Sequence, residues 1–550
     1  MKLAASPGLL ILAAVVAGLI GLPVASVLAH VFDGGTSGVW RHLAATVLPE
    51  YVGNTLWLCL GVGSGTVAVG VSTAWLTAMH RFPGSRIFEW ALVLPLAVPA
   101  YVLAYVYTDF LQFAGPVQSA LREAFGWTRA DYFFPEVRSL GGAIVLFVFV
   151  LYPYVYLTAR VAFIERAGGM LEAARTLGLG PWRSFLRVSV PLARPAVAAG
   201  TTLALMETLA DYGAVSYFGV QTFTTGIYRA WFSLGDRIAA AQLAAALLGF
   251  VIALLLLEQA SRRRARFHDT TGRDRPRRGQ PLRGVPAVLA CAACLAPVVI
   301  GFLLPAGLLL RLALLEGDAQ FGAPFIRLTR NSFILAGVTA AAAVGLAVLL
   351  AYGARLAKGR MPAALNRLVG LGYAVPGSVI AVGVLIPVTR LDHWLNQQWQ
   401  DWFGVNPGLL LTGGIAALVY AYLVRFLAVA LQTVGASLAK ITPGMDESAR
   451  SLGEGAGGVL RRVHLPVLRG SLLTAGLLVF VDVMKELPAT LVMRPFNFDT
   501  LATQAYVLAS DERLAEASTA ALAIVAAGLL PVIVLSRQIS RRGRPGRAAP

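Results

Sequence analysis

The chain has 550 residues, 57% of them hydrophobic and only 13% charged, and its mean hydropathy is +0.70. A soluble chain of this length would have to hide more apolar surface than one core holds, so water is excluded as its main solvent. A net charge of +18 would suggest nucleic acid in a soluble protein; here the basic residues sit in short loops between apolar runs, where they set membrane orientation and imply no nucleic-acid partner.

A helix needs about 20 apolar residues to cross roughly 30 Å of hydrocarbon. About twelve such runs are predicted, at 9–28, 55–79, 91–110, 141–161, 195–217, 239–257, 285–310, 333–356, 369–388, 409–430, 472–492 and 515–535. The first ends in Ala25-Ser-Val-Leu-Ala-His30, which resembles a signal-peptidase site. Its apolar stretch exceeds a signal core, so an uncleaved span is expected. With the N-terminus inside, the cytoplasmic loops hold about 33 Lys and Arg against about 12 outside, which predicts two cytoplasmic termini. Cys59, Cys291 and Cys294 all fall in apolar runs and imply no disulfide framework. Cys291 and Cys294 form C-x-x-C, but no further Cys or nearby His completes a metal shell, so they read as small helix-packing residues. Gly61 and Gly65 give a small-x-x-x-small pattern suited to close helix packing.

The sequence is one unit written twice. Glu172-Ala-Ala-Arg-Thr-Leu-Gly178 matches Glu447-Ser-Ala-Arg-Ser-Leu-Gly453 at an offset of 275, and Val190-Pro191 matches Leu465-Pro466 at the same offset. Phe223 and Thr225 match Phe498 and Thr500, while Ala97-Val-Pro99 matches Ala374-Val-Pro376 and Asn54 matches Asn331 at 277. Spacing held over five runs predicts an all-α membrane protein of two six-helix halves in parallel orientation, 1–260 and 285–550, joined by an Arg-rich cytoplasmic linker, 261–284.

The repeated segment, EAARTLGLGPWRSFLRVSVP at 172–191 and ESARSLGEGAGGVLRRVHLP at 447–466, resembles the cytoplasmic loop signature of permeases in binding-protein-dependent ABC importers, a type I permease fold. Small Ala173 and Ala174 (Ser448 and Ala449 in the second copy) would let a partner surface approach, and Glu172 or Glu447 would fix its register. Gly178 and Gly453 permit the positive φ that ends the helix, and Pro191 and Pro466 suit the start of the next one. Gly455, Gly457 and Gly458 make the second copy look looser after its turn. The resemblance implies that each loop docks on a separate cytoplasmic ATPase subunit, two copies in all, which hold the ATP and Mg2+. This chain needs no cofactor: none of Lys2, Lys358, Lys440 or Lys485 lies in a Gly-Lys-Ser/Thr context.

Burying a carboxylate at membrane depth is costly, so intramembrane acids are functional candidates. The fifth predicted span of each half carries two at i, i+4 spacing, Glu207 and Asp211, and Asp482 and Glu486, which predicts a shared helix face. They could line a pathway for a hard cation, or serve as structural partners for one another, Lys485 and backbone groups. The stretches 210–219, 222–229, 484–490 and 494–503 resemble the periplasm-proximal segments of fused ferric iron permeases. That resemblance implies Fe3+ delivered by a periplasmic binding protein docking near 218–231 and 494–506, in a bacterial inner membrane. Fused thiamine permeases share the length, repeat and loop. An ion-coupled secondary transporter would need no ATPase. A membrane enzyme finds no support in six scattered histidines.

Overall fold

The computed structural model describes residues 7–32, 43, 45–166, 174, 176–263, 280–315, 322–357 and 360–542. Among them, eleven helices are long and apolar enough to cross a membrane, or twelve if one bent pair counts as a single span. In chain order the helices are α1 (Pro7–Ala29), α2 (Leu48–Met79), α3 (Ser85–Ala91), α4 (Ala100–Leu111), α5 (Pro116–Phe125), α6 (Leu140–Arg166), α7 (Trp182–Ala210), α8 (Gly213–Tyr217), α9 (Phe223–Tyr228) and α10 (Arg237–Arg263). The second half continues with α11 (Val285–Leu315), α12 (Ala323–Ala357), α13 (Arg360–Gly370), α14 (Gly377–Phe403), α15 (Ala416–Leu438), α16 (Pro443–Ser451), α17 (Ala456–Met484), α18 (Pro488–Met493), α19 (Leu501–Ser510) and α20 (Leu514–Arg542). Large apolar side chains such as Leu257, Val288 and Leu473 are exposed, as a lipid-facing surface requires.

The helices cluster into two compact units, each drawing on both halves of the sequence. The first comprises Met1–His42, Gly226–Leu248 and Gln320–Gln504. In it, α1 packs on α13 and α14 although it comes from the far end of the chain, and Tyr420 donates to the Leu19 carbonyl at 2.6 Å. The second comprises Leu43–Thr225, Gly249–Ala319 and Ala505–Pro550. Its centre is α2 against α6 and α7, with α11 packed on α20. A Cβ at Gly61 would lie 2.7 Å from Ile144, and one at Gly65 would lie 2.3 Å from Val148; the pair lets these two α6 side chains seat against the bare backbone of α2. The three cysteines are free, and Cys294 lies in the core with Tyr152 and Val155.

Several helix limits differ from the apolar runs, and proline explains the clearest case. The run at 91–110 is broken: Ser85–Ala97 and Ala100–Phe125 meet at 90°, with Val98 extended at ψ 121° before Pro99, as a residue preceding proline must be. Val375 takes the same conformation before Pro376, at ψ 123°. There α14 begins at Gly377 and runs 27 residues to Phe403, well beyond the predicted end at 388. Pro191 and Pro466 do not start new helices. Each follows a π-turn, Phe185–Ser189 or Leu460–His464, within a 29-residue helix. The widened turn accommodates a ring that would otherwise clash with the carbonyl four residues back.

The pairing of Phe223 with Phe498 is also corrected. The Thr222 N–H donates to Thr225 Oγ1 at 2.8 Å, and the Thr500 N–H donates to Thr503 Oγ1 at 2.9 Å. The structural offset here is therefore 278, and three residues are added between α18 and α19. Just before these turns, Asn54 donates to the Gln221 carbonyl at 2.9 Å and Asn331 to the Asp499 carbonyl at 3.1 Å. The repeated asparagines thus perform one anchoring task in each half.

Candidate functional site

The two repeated loops end in the same turn. Gly178 has φ 79° and Gly453 has φ 90°. The next residue reaches back five positions in each: Leu179 N–H to the Ala174 carbonyl at 3.0 Å, and Glu454 N–H to the Ala449 carbonyl at 3.1 Å. This is a Schellman stop, which satisfies carbonyls the helix end would leave bare. Glu172 and Ala173 lie outside the described residues, as do most of linker 261–284 and both termini. Ala174 and Ala449 are buried in their own chain at 4% and 8% exposure. Glu447, Ser448 and Gly453 are exposed. So is one leucine just before each turn, Leu177 at 81% and Leu452 at 84%. An apolar side chain is thus held out beside a rigid turn in both loops, a feature that the sequence reading did not single out.

Nothing lies within 4 Å of a Cβ added at Gly178 or Gly453, so alanine there meets only the backbone penalty of the left-handed conformation, about 1–2 kcal/mol. Either substitution is expected to raise limited proteolysis of its own loop roughly five- to thirty-fold and to leave the other loop unchanged.

The second loop is bolted down by a side-chain cluster. Asp446, 6% exposed, accepts from Arg355 Nε at 2.9 Å and contacts His464 Nε2 at 2.7 Å. Arg355 also donates to the Leu438 and Ile441 carbonyls, both at 2.9 Å, closing the C-terminal end of α15. Tyr352 donates to the Ala456 carbonyl at 2.7 Å and meets His464 edge-on at 5.2 Å. The glycine-rich stretch is therefore tied to α12 and opens α17 as helix, contrary to the looser segment its composition suggested. Burial would raise the Asp446 pKa, but its hydrogen bonds to Arg355 and His464 outweigh burial and hold it below the usual carboxylate range.

The four acids do not share helix faces. Asp211 lies just past the end of α7 with ψ 137°, and Glu486 follows the end of α17 at Met484. Both cap the next short helix. Asp211 Oδ1 accepts the Ala214 and Val215 N–H groups at 2.9 and 3.2 Å. Glu486 accepts the Ala489 and Thr490 N–H groups at 2.8 and 3.1 Å and the Thr490 hydroxyl at 2.6 Å, with Arg425 Nη1 4.0 Å away. The helices end one and two residues short of an i, i+4 stripe, because these carboxylates serve as N-terminal caps. Glu207 stays on α7, and Asp482 on α17 pairs with Lys485 at 3.0 Å. Among the described residues no group of three or more His, Cys, Asp or Glu is placed to hold a metal ion.

Residues 67–266 match the family described as "Binding-protein-dependent transport system inner membrane component". The chain is 27% identical over 528 residues to the Fe(3+)-transport system permease protein FbpB 2 of Haemophilus influenzae, covering 94% of this chain and 96% of that one. It is 31% identical over 198 residues to a probable sulfate transport system permease protein of Chlorokybus atmophyticus, 35% of this chain and 65% of that protein. It is 32% identical over 149 residues to the molybdenum transport system permease protein ModB of Escherichia coli, 27% of this chain and 62% of that protein. Over its double length the chain is similar to a fused permease, and over parts of it to single-length ones.

Proposed function

Because the chain is a multi-pass inner-membrane permease of the binding-protein-dependent ABC importer type, we propose that it carries Fe3+ into the cytoplasm by alternating access. It is a transport subunit: ATP and Mg2+ would be handled by two separate ATPase subunits, and a periplasmic binding protein would deliver the iron. Both termini and the linker 261–284 between the halves 1–260 and 285–550 would lie in the cytoplasm, on the side of the two Gly178 and Gly453 turns. The observation that carries the substrate is the end-to-end similarity to a fused Fe(3+) permease; the sulfate and molybdenum relatives match only in part.

The ATPase reading draws on the twin loops. A charge at their exposed leucines should repel an apolar groove, so Leu177→Asp with Leu452→Asp is expected to abolish copurification of the ATPase while the permease still assembles in the membrane. The substrate is tested in proteoliposomes holding permease and ATPase, with ATP hydrolysis measured for Fe3+-loaded binding protein, thiamine, sulfate and molybdate in turn. Stimulation by iron-loaded protein is expected. Stimulation by thiamine or an oxyanion in its place would overturn iron as the cargo.

A further inference from the structure

Five tyrosines gather in the second compact unit where α7 gives way to α8. Tyr105 on α4 lies 4.6 Å from Tyr217, 5.8 Å from Tyr101 and 6.5 Å from Tyr506, centroid to centroid; Tyr212 lies 5.9 Å from Tyr506. Two of their oxygens meet as well. Tyr506 Oη is 3.5 Å from Tyr212 Oη and 3.4 Å from Ser216 Oγ. The Tyr105 side chain is 1% exposed, and its hydroxyl is buried without a hydrogen-bond partner, a cost of roughly 1–3 kcal/mol that folding alone does not explain. Asp211 lies within electrostatic reach of that hydroxyl, and with Oδ1 committed to capping α8 its Oδ2 remains as a further oxygen donor.

The repeat supplies an internal control. At the matching positions of the other half stand Ser378 for Tyr101, Val382 for Tyr105, Leu487 for Tyr212 and Val492 for Tyr217. The fifth, Tyr506, corresponds to Tyr228, whose phenol donates to the Pro488 carbonyl. The same helices therefore pack without this tyrosine set, and packing does not account for it.

We propose that Tyr105, Tyr212, Tyr506 and the Asp211 carboxylate form a transient site for Fe3+ within the permease. The proposal rests on iron being the cargo. Phenolate and carboxylate oxygens are hard donors suited to a small trivalent cation, and the Tyr212 and Tyr506 oxygens, 3.5 Å apart, need only a small contraction to become neighbours on one ion. Each phenol that binds exchanges its O–H bond for an iron–oxygen bond and releases its proton to water, with no change in oxidation state. Tyr217 stands outside the set, since Arg138 donates to its hydroxyl at 3.4 Å and lies over its ring.

A box of tyrosine rings would also attract an organic cation through its faces, and phenylalanine separates the two cases by keeping the face and removing the oxygen. The full-length permease, purified with its ATPase in lipid nanodiscs, is titrated with ferric nitrilotriacetate and its visible absorbance recorded. A phenolate-to-iron charge-transfer band is expected, with iron affinity about tenfold or more weaker in Tyr212→Phe/Tyr506→Phe and unchanged in Tyr228→Phe. Should the double variant not assemble, Tyr506→Phe alone is expected to weaken iron by about tenfold. No band in the unmodified protein, or the same band and affinity once Tyr506 is replaced, overturns the site. If proteoliposomes then still accumulate radioactive iron, only the site falls; accumulation of thiamine in place of iron removes the cargo assignment as well.

Discussion

Asp446→Ala is expected to cut ATP-driven uptake by about tenfold or more while ATP hydrolysis continues, because it frees the second loop, proposed above to meet the ATPase, from the spans it would move. The carboxylate joins Arg355 on α12 to His464 on α17, and it stands on α16, the short helix between α15 and α17. Removing it strands a guanidinium whose side chain is only 18% exposed. The cost should fall near 3 kcal/mol, at the low end for a broken buried ion pair because Arg355 keeps its backbone acceptors. The measurement is the ratio of substrate accumulated to ATP hydrolysed in proteoliposomes. An unchanged ratio would mean that the clamp has no part in transmission.

The first half supplies the rescue. At the positions of Arg355, Asp446 and His464 it carries Ala78, Leu171 and Ser189, a set with no charge to strand. Replacing all three at once, Arg355→Ala with Asp446→Leu and His464→Ser, should restore part of the coupling that the single change removes, since no charge is then left buried without its partner. The sign of the pH effect follows from the depressed Asp446 pKa. The carboxylate's contribution is complete above the ordinary value of about 3.9 and is lost only as pH falls through the lower folded value, so titration of Asp446 adds no pH dependence to the coupling in the neutral range.

The spans were legible because length and apolarity alone define them; their ends were not, because an apolar run is not a helix. α14 continues through Arg390, Asp392 and His393, and fully buried Asp392 takes the N–H groups of Leu410 and Thr412, each at 2.8 Å, and Leu411 at 3.0 Å. A polar stretch that seemed to end the span folds its own loop back onto it. Gly178 and Gly453 could be read as turn formers because positive φ leaves few alternatives to glycine. The Asp446 clamp was hidden for the opposite reason. Its members lie 91 and 18 residues apart, and the first half lacks all three, so the repeat gave no signal there. The acids were legible as a pair per half, but spacing could not reveal that α7 and α17 stop before their second member. The tyrosines of the second unit left no pattern at all, being spread over α4, α8, α19 and the α7–α8 junction.

Glu486→Ala is expected to lower the thermal unfolding midpoint so far that little assembled permease is recovered, whereas Glu207→Gln and Asp482→Asn should change stability by only about 0.5 kcal/mol. Glu486 takes three hydrogen bonds at the start of α18 and lies beside an Arg425 side chain only 10% exposed. Alanine would leave those donors and that charge without their acceptor, a loss of about 3–5 kcal/mol. Glu486→Gln keeps one acceptor oxygen for the Ala489 N–H but gives up the charge and the acceptor that faces Thr490, so it should cost about 1.5–3 kcal/mol and still yield protein. Asp211→Asn likewise keeps its cap on α8, at about 1 kcal/mol, but gives up the carboxylate proposed to meet iron. Uptake and unfolding should therefore part company along this series. Glu486→Gln should lose stability with little loss of uptake per assembled molecule, and Asp211→Asn should lose uptake with little loss of stability. If both variants fell together on the two scales, the two acids would be doing the same structural work, and Asp211 would have no separate part in passage of the cargo.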